Sequence, residues 1–245
     1  MRWSAVAITA LLGVILCGCA IKPQQPVPFN QEAITSKGTK VGVAMAALPK
    51  VDTFFPGADC LLCYAFASAS NSALTKHAET LAREELESLK EDVASALRKK
   101  SVDAVVIKDP LDLKSLNDIR TEVPTAARKD FAPVRAKVAV DKLLVIDMQQ
   151  IGYVRTYASY IPTSDPKATV VGAAYLVDLK SNTYNWYVPI HVSLSAGAKW
   201  DEPPKFPGLT NAYFQAVETS RDTVLKPLME SDAPTPAKPV AAVTK

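Results

Sequence analysis

The sequence predicts an α/β fold, one mixed sheet with two longer helices packed on it, and three observations carry that prediction. Segments rich in Val, Ile and Tyr at 40–48, 102–107, 142–153, 168–179 and 183–195 alternate with helical spacing at 75–100 and 210–229. The last two of those strands are separated only by Lys180-Ser181-Asn182, the chemistry of a hairpin turn. The span between two tail-like ends suits one domain.

Each element has its own signal. In 40–48, Val41, Val43 and Met45 alternate with small residues and Pro49 stops the run, so one face is expected to be buried. Phe54, Phe55, Pro56 and Gly57 read as a loop leading into Cys60–Ala73. From Thr75 to Lys100 the spacing turns helical, with Leu81, Leu86, Leu89, Val93 and Leu97 along one face. Acids gather early in this segment and Arg98, Lys99 and Lys100 close it, an order that complements the helix dipole. The run 102–107 is a short buried strand. Three prolines break 108–135, where a short helix and loop are expected. A long strand follows at 142–153. In the second hairpin strand Tyr184, Trp186, Val188, Ile190 and Val192 alternate, and Pro189 pushes it to an edge. The final helix, 210–229, carries Tyr213, Phe214, Val217, Val224, Leu225 and Leu228, with Pro227 ending or kinking it.

The first residues form a secretory signal. Arg2 precedes a mostly apolar run from Ala5 to Leu16, too short to span a bilayer, and small residues lead to Cys19. Leu16-Cys17-Gly18-Cys19 resembles the lipobox of bacterial lipoproteins. The resemblance implies removal of residues 1–18 and a covalent diacylglycerol and N-acyl chain on Cys19, with no other cofactor. Three acyl chains would hold the protein to the membrane durably, since each buried CH₂ contributes roughly 0.8 kcal/mol. Ala20, rather than Asp, follows the cysteine, which in such lipoproteins implies the outer membrane, facing the periplasm.

Residues 19–38, with three prolines, read as a flexible tether that would let the domain stand up to roughly 60–70 Å from the bilayer. The domain is expected over 39–230, and the Pro/Ala-rich 231–245 as a disordered tail that could lie along the cell wall. The chain carries 48% hydrophobic residues and a net charge of +3, with Lys and Arg scattered; nucleic acid is excluded as a partner.

The element order also resembles the α/β domain shared by the curli-secretion channel lipoprotein CsgG and the amino-terminal domain of TolB. The local signature is Tyr175-Leu176-Val177-Asp178-Leu179 through Lys180-Ser181-Asn182 to Thr183-Tyr184-Asn185-Trp186, preceded by Leu144-Val145-Ile146-Asp147. Members of that group bind envelope partners and some assemble into rings, so the resemblance implies an envelope protein partner and admits a homo-oligomer. No pair of alternating amphipathic segments is long enough for membrane hairpins, which argues against a pore.

Candidate chemistry is sparse. Cys60-Leu61-Leu62-Cys63 would oxidise after export, so a structural disulfide is expected, with thiol-redox exchange as the alternative. His77 and His191 show no ligand spacing with the pair, so no metal is expected. No Gly-x-Ser-x-Gly elbow and no phosphate-binding Gly-rich loop occur. Asp147 and Asp178 are expected to make local hydrogen bonds rather than form an acid pair. The uncharged run Cys60–Leu74 is expected to be a buried small-residue helix or loop, or else an exposed apolar patch. Tyr153, Tyr157, Tyr184, Trp186 and Tyr187, together with Tyr160, make neighbouring strands aromatic. Cross-strand packing is the default for them. As Tyr and Trp also dominate binding hot spots, those five are the candidate partner surface. The expected function is therefore a non-enzymatic, lipid-anchored accessory or scaffold, with a periplasmic thiol-redox factor as the alternative.

Overall fold

The computed structural model describes residues 23–36 and 38–230; the signal segment, Cys19 and the tail 231–245 lie outside them. The fold is α/β with one mixed sheet. Its strands are β1 (Lys40–Met45), β2 (Asp52–Phe54), β3 (Asp103–Val106), β4 (Lys142–Val154), β7 (Lys167–Asp178) and β8 (Thr183–Ser195). The order is β3-β1-β4-β7-β8, with β2 paired to the far end of β4. β1 runs parallel to β3 and β4, whereas β4, β7 and β8 form an antiparallel meander. A small hairpin, β5 (Tyr157–Ala158) and β6 (Ile161–Pro162), stands beyond the end of β4.

Burial explains the strand compositions. β1 lies between two neighbours and is buried on both faces, not one, because each face of the sheet carries its own core. Against the first face pack α5 (Leu89–Lys99) and α7 (Pro207–Met229), the two longer helices expected there. Against the second face lie the four-residue helix α6 (Ala132–Arg135), Leu116, Ala127 and Phe131 from the proline-broken segment, and a cluster of tyrosines. β8 is an edge strand, as Pro189 requires.

Two expectations are overturned. The helix expected over Thr75–Lys100 is three pieces: α3 (Ser72–Ala78), α4 (Glu84–Glu87) and α5. Leu81 and Leu86 are five residues apart and cannot share a helical stripe, whereas Leu86, Leu89, Val93 and Leu97 keep three- and four-residue steps and are fully buried. The break at 79–83 is held from outside, by Tyr213 Oη donating to the Ala82 carbonyl at 2.9 Å and Arg83 Nη1 donating to the Pro49 carbonyl at 3.0 Å.

The segment 19–38 is not a free tether in its described part. Val27 pairs with Tyr187 on the open edge of β8, exchanging backbone hydrogen bonds of 2.9 and 3.0 Å. Phe29 meets Trp186 edge-on, and Ile34, on the short helix α1 (Glu32–Thr35), is 2% exposed in the main core. Apolar Val27, Phe29 and Ile34 gain more by burial than the prolines lose by being fixed. Only Cys19–Lys22 stand between the expected lipidation position and the first described residue, a reach of about 14 Å if fully extended.

Candidate functional site

The expected aromatic partner surface is not a surface. Tyr153, Trp186, Tyr157 and Tyr184 are buried, and Tyr187 is half-buried beneath Val27. Tyr153 packs beside Tyr213 in the first core, its hydroxyl enclosed without a hydrogen-bond partner among the described residues. Tyr184 and Tyr187 join Tyr175 in a tyrosine cluster on the second face, where Tyr184 Oη accepts the Arg128 N–H at 3.3 Å. Burial pushes all three phenols above their ordinary range. Sheet faces that carry helices or long loops use aromatics as filling, and that decided their fate.

The exposed apolar surface lies instead on α2 (Leu61–Ser70). No charged residue occurs from Cys60 to Thr75. The helix rests on the domain by a narrow strip of small residues, Cys63 and Ala67, four apart and seated on Phe55, Ala58 and Tyr157. The bulkier side chains therefore point outward: Leu61 is 85% exposed, Leu62 68%, Tyr64 53% and Phe66 50%. The β5–β6 hairpin extends the patch with Tyr160, in edge contact with Phe66, and Ile161. A helix apolar on every side is ordinarily enclosed. This one is enclosed on one strip alone.

The helix is held firmly where it stands. Cys60 is its N-cap, the Cys60 Sγ accepting the Cys63 N–H at 2.9 Å, and the Cys60–Cys63 disulfide closes the first turn with a Cα–Cα distance of 4.9 Å. At the other end Asn71, 2% exposed, donates to the Ala67 carbonyl and to Tyr157 Oη, both at 2.7 Å. Its Oδ1 accepts from Arg155 Nη1 at 3.0 Å, and the Arg155 guanidinium lies 4.8 Å from the Trp200 ring centroid. One buried amide thus ties α2 to the end of β4 and to the loop before α7.

The remaining candidates resolve simply. Asp178 accepts the Lys180 and Ser181 N–H groups and pairs with Lys142 Nζ at 2.6 Å. Burial pushes its carboxyl up, but the Lys142 ammonium and the turn amides outweigh this and hold it at about 2. Asp147 stands beside Ala173, five residues along β4 from the Lys142–Asp178 row and about 16 Å away, so the two carboxylates form no acid pair. His77 shares a 2.7 Å hydrogen bond with Thr210 Oγ1, and burial, then Lys205, lowers its pKa. Among the described residues no three His, Cys, Asp or Glu side chains converge as metal ligands, and no helix is long and apolar enough to cross a membrane.

One site feature escaped the sequence reading, whereas for the run Cys60–Leu74 the alternative expectation, an exposed apolar patch, is the one found on α2. β2 makes Cys60 follow a strand by six residues, where a dozen loop residues were expected. The outward face of α2 was readable in the i, i+4 placement of the small Cys63 and Ala67 among Leu61, Leu62, Tyr64 and Phe66.

No family model matches the chain, and no curated protein matches its sequence. Solved structures align with the chain at low similarity. The PelC dodecamer from Paraburkholderia phytofirmans aligns over 85% of this chain and 97% of that one, at 12% identity and a TM-score of 0.36. A DUF330 protein from Xanthomonas campestris aligns over 83% and 90%, at 15% identity and a TM-score of 0.41.

Proposed function

We propose that this chain is a lipid-anchored, non-enzymatic accessory protein of the cell envelope that works by binding a protein through the exposed face of α2. The carrying observation is the uncharged patch of Leu61, Leu62, Tyr64, Phe66, Tyr160 and Ile161, fixed in place by a disulfide and a buried asparagine. A patch of this kind on a folded domain marks a docking surface. The lipobox ending at Cys19, followed by Ala20, supports tethering to the outer membrane. The welded strap 27–34 supports a domain held close to that membrane.

A photo-crosslinking side chain at position 62 or 66 in intact cells is expected to trap a discrete protein adduct. The same probe at Lys99, exposed at the end of α5, is not. Equal patterns from all three positions would refute the reading. Cys19→Ser is expected to move the protein from the membrane to the soluble fraction.

One observation favours a second reading, thiol-redox exchange. Cys60 is exposed at a helix N-terminus and its sulfur accepts the Cys63 N–H, the arrangement that stabilises a thiolate there. Titration in glutathione buffers separates the two readings. A pair that stays oxidised at periplasmic poise, and whose double serine variant retains the adduct, removes the redox one.

A further inference from the structure

The occupant of the α2 patch follows from its size, its charge and its place on the domain. This rests on the binding reading above and names the partner. We infer that the patch is a two-fold interface, α2 of one molecule packing antiparallel against α2 of a second copy of the same chain.

Size comes first. Leu61, Leu62, Phe66, Tyr160 and Ile161, between 45% and 85% exposed, contribute on the order of 600 Å², with Tyr64 on the opposite flank of the helix. That is the upper end of the largest apolar patch of an ordinary monomer, about 300–600 Å², and most of the ~800 Å² that each partner buries in a stable complex. The patch is large enough for the centre of one interface.

Charge comes second. A two-fold axis places each surface against itself, so any charge near the axis meets its own copy and repels it. From Cys60 to Thr75 there is none. The exposed charges flanking this segment are Asp59 ahead of α2 and Lys76 beyond it, opposite in sign at opposite ends. Antiparallel packing brings the Asp59 end of one helix toward the Lys76 end of the other. Exposed Ala65 and Ala69, one turn apart between the large side chains, let the two backbones approach closely.

Place comes third. The described chain begins beside β8, where Val27 pairs with Tyr187 and Gln24 Nε2 donates to the Pro124 carbonyl. The patch lies past the end of the sheet marked by Val154 and Ser195, eight residues or about 27 Å farther along the strand from Tyr187. The α2 helix has no Lys or Arg to meet anionic lipid, which disfavours a lipid surface as its occupant.

The test uses the full mature chain, with Cys19→Ser in place of the lipid, in sedimentation equilibrium from 1 to 100 μM. The expected result is twice the monomer mass, with Leu62→Asp and Phe66→Asp each weakening self-association at least tenfold. Both side chains are exposed, so circular dichroism and melting of the monomeric variants should match the parent. Met229→Asp, an equally exposed apolar position at the end of α7, should leave the dimer intact. A monomer at 100 μM, or a dimer indifferent to both substitutions, overturns the inference. So does cosedimentation with phosphatidylglycerol vesicles that Leu62→Asp abolishes while the protein stays monomeric. If position 62 traps a different protein in cells and the purified chain is monomeric, the binding reading survives and the second copy is refuted. If no adduct forms and the chain is monomeric, both fall.

Discussion

Replacing Asn71 with alanine tests whether one buried amide positions the exposed helix. The Asn71 side chain makes three hydrogen bonds: to the Ala67 carbonyl at 2.7 Å, to Tyr157 Oη at 2.7 Å and from Arg155 Nη1 at 3.0 Å. The two neutral bonds contribute about 1 kcal/mol each and the charged one about 1.5 or more. Arg155 keeps its bond to the Ser164 carbonyl and its Trp200 contact, and water can reach it, so the expected loss is about 3 kcal/mol. For a domain of this size that is a fall of roughly 6–12 °C in melting temperature. Urea unfolding followed by tryptophan fluorescence reads it, with Trp200 as the local reporter. Hydrogen exchange supplies the second readout. Amides of α2 should exchange faster in Asn71→Ala while those of β4 and β7 keep their relative protection. A loss below 1 kcal/mol, or α2 protection unchanged, would refute the reasoning.

Three further outcomes are expected. Asp178→Asn should destabilise the hairpin by about 1 kcal/mol at neutral pH, a value already discounted for the 27% exposure of the carboxylate. Because the folded carboxyl sits at about 2 against 3.8 unfolded, that stability is present above pH 4 and lost as pH falls to 2. The difference from the parent in urea titrations should therefore shrink over that window; a constant difference from pH 7 to 2 would contradict it. Reducing Cys60–Cys63 should cost about 2 kcal/mol or less, since the closed loop is short, and thermal melts with and without dithiothreitol measure this. Gly152→Ala should cost more than 4 kcal/mol or prevent folding. Its φ is +137° and a Cβ would lie 1.9 Å from the Asp52 carbonyl oxygen, forcing β2 off β4; a stable Gly152→Ala protein with β2 amides still protected would disprove it.

Much of the sheet was legible in the sequence because strands and hairpins write themselves locally. Val and Ile runs at 142–154 and 167–178, and polar residues at 180–182, specify pairing without knowledge of the rest of the chain. The helix break at 79–83 was less legible. Its only trace was the five-residue step from Leu81 to Leu86, and the partners that hold it, Tyr213 and Pro49, are distant in sequence. β2 is three residues long and carries no alternation to read.

The sequence by itself determined the fold class, the strand order in the chain and the pairing chemistry at Cys60 and Cys63. It also holds the whole case for lipidation at Cys19. Those properties depend on neighbours a few residues apart. Tertiary structure alone decided which apolar residues are inside. Tyr153, Tyr184 and Trp186 have the composition of a binding surface, yet a sheet covered on both faces encloses them, and Tyr157 is covered by α2. Leu61, Leu62, Tyr64 and Phe66 have the composition of a core, yet the strip that seats their helix is only as wide as Cys63 and Ala67. Burial is set by what arrives from elsewhere in the chain, and a local pattern such as Cys63 and Ala67 four residues apart records only which strip is seated.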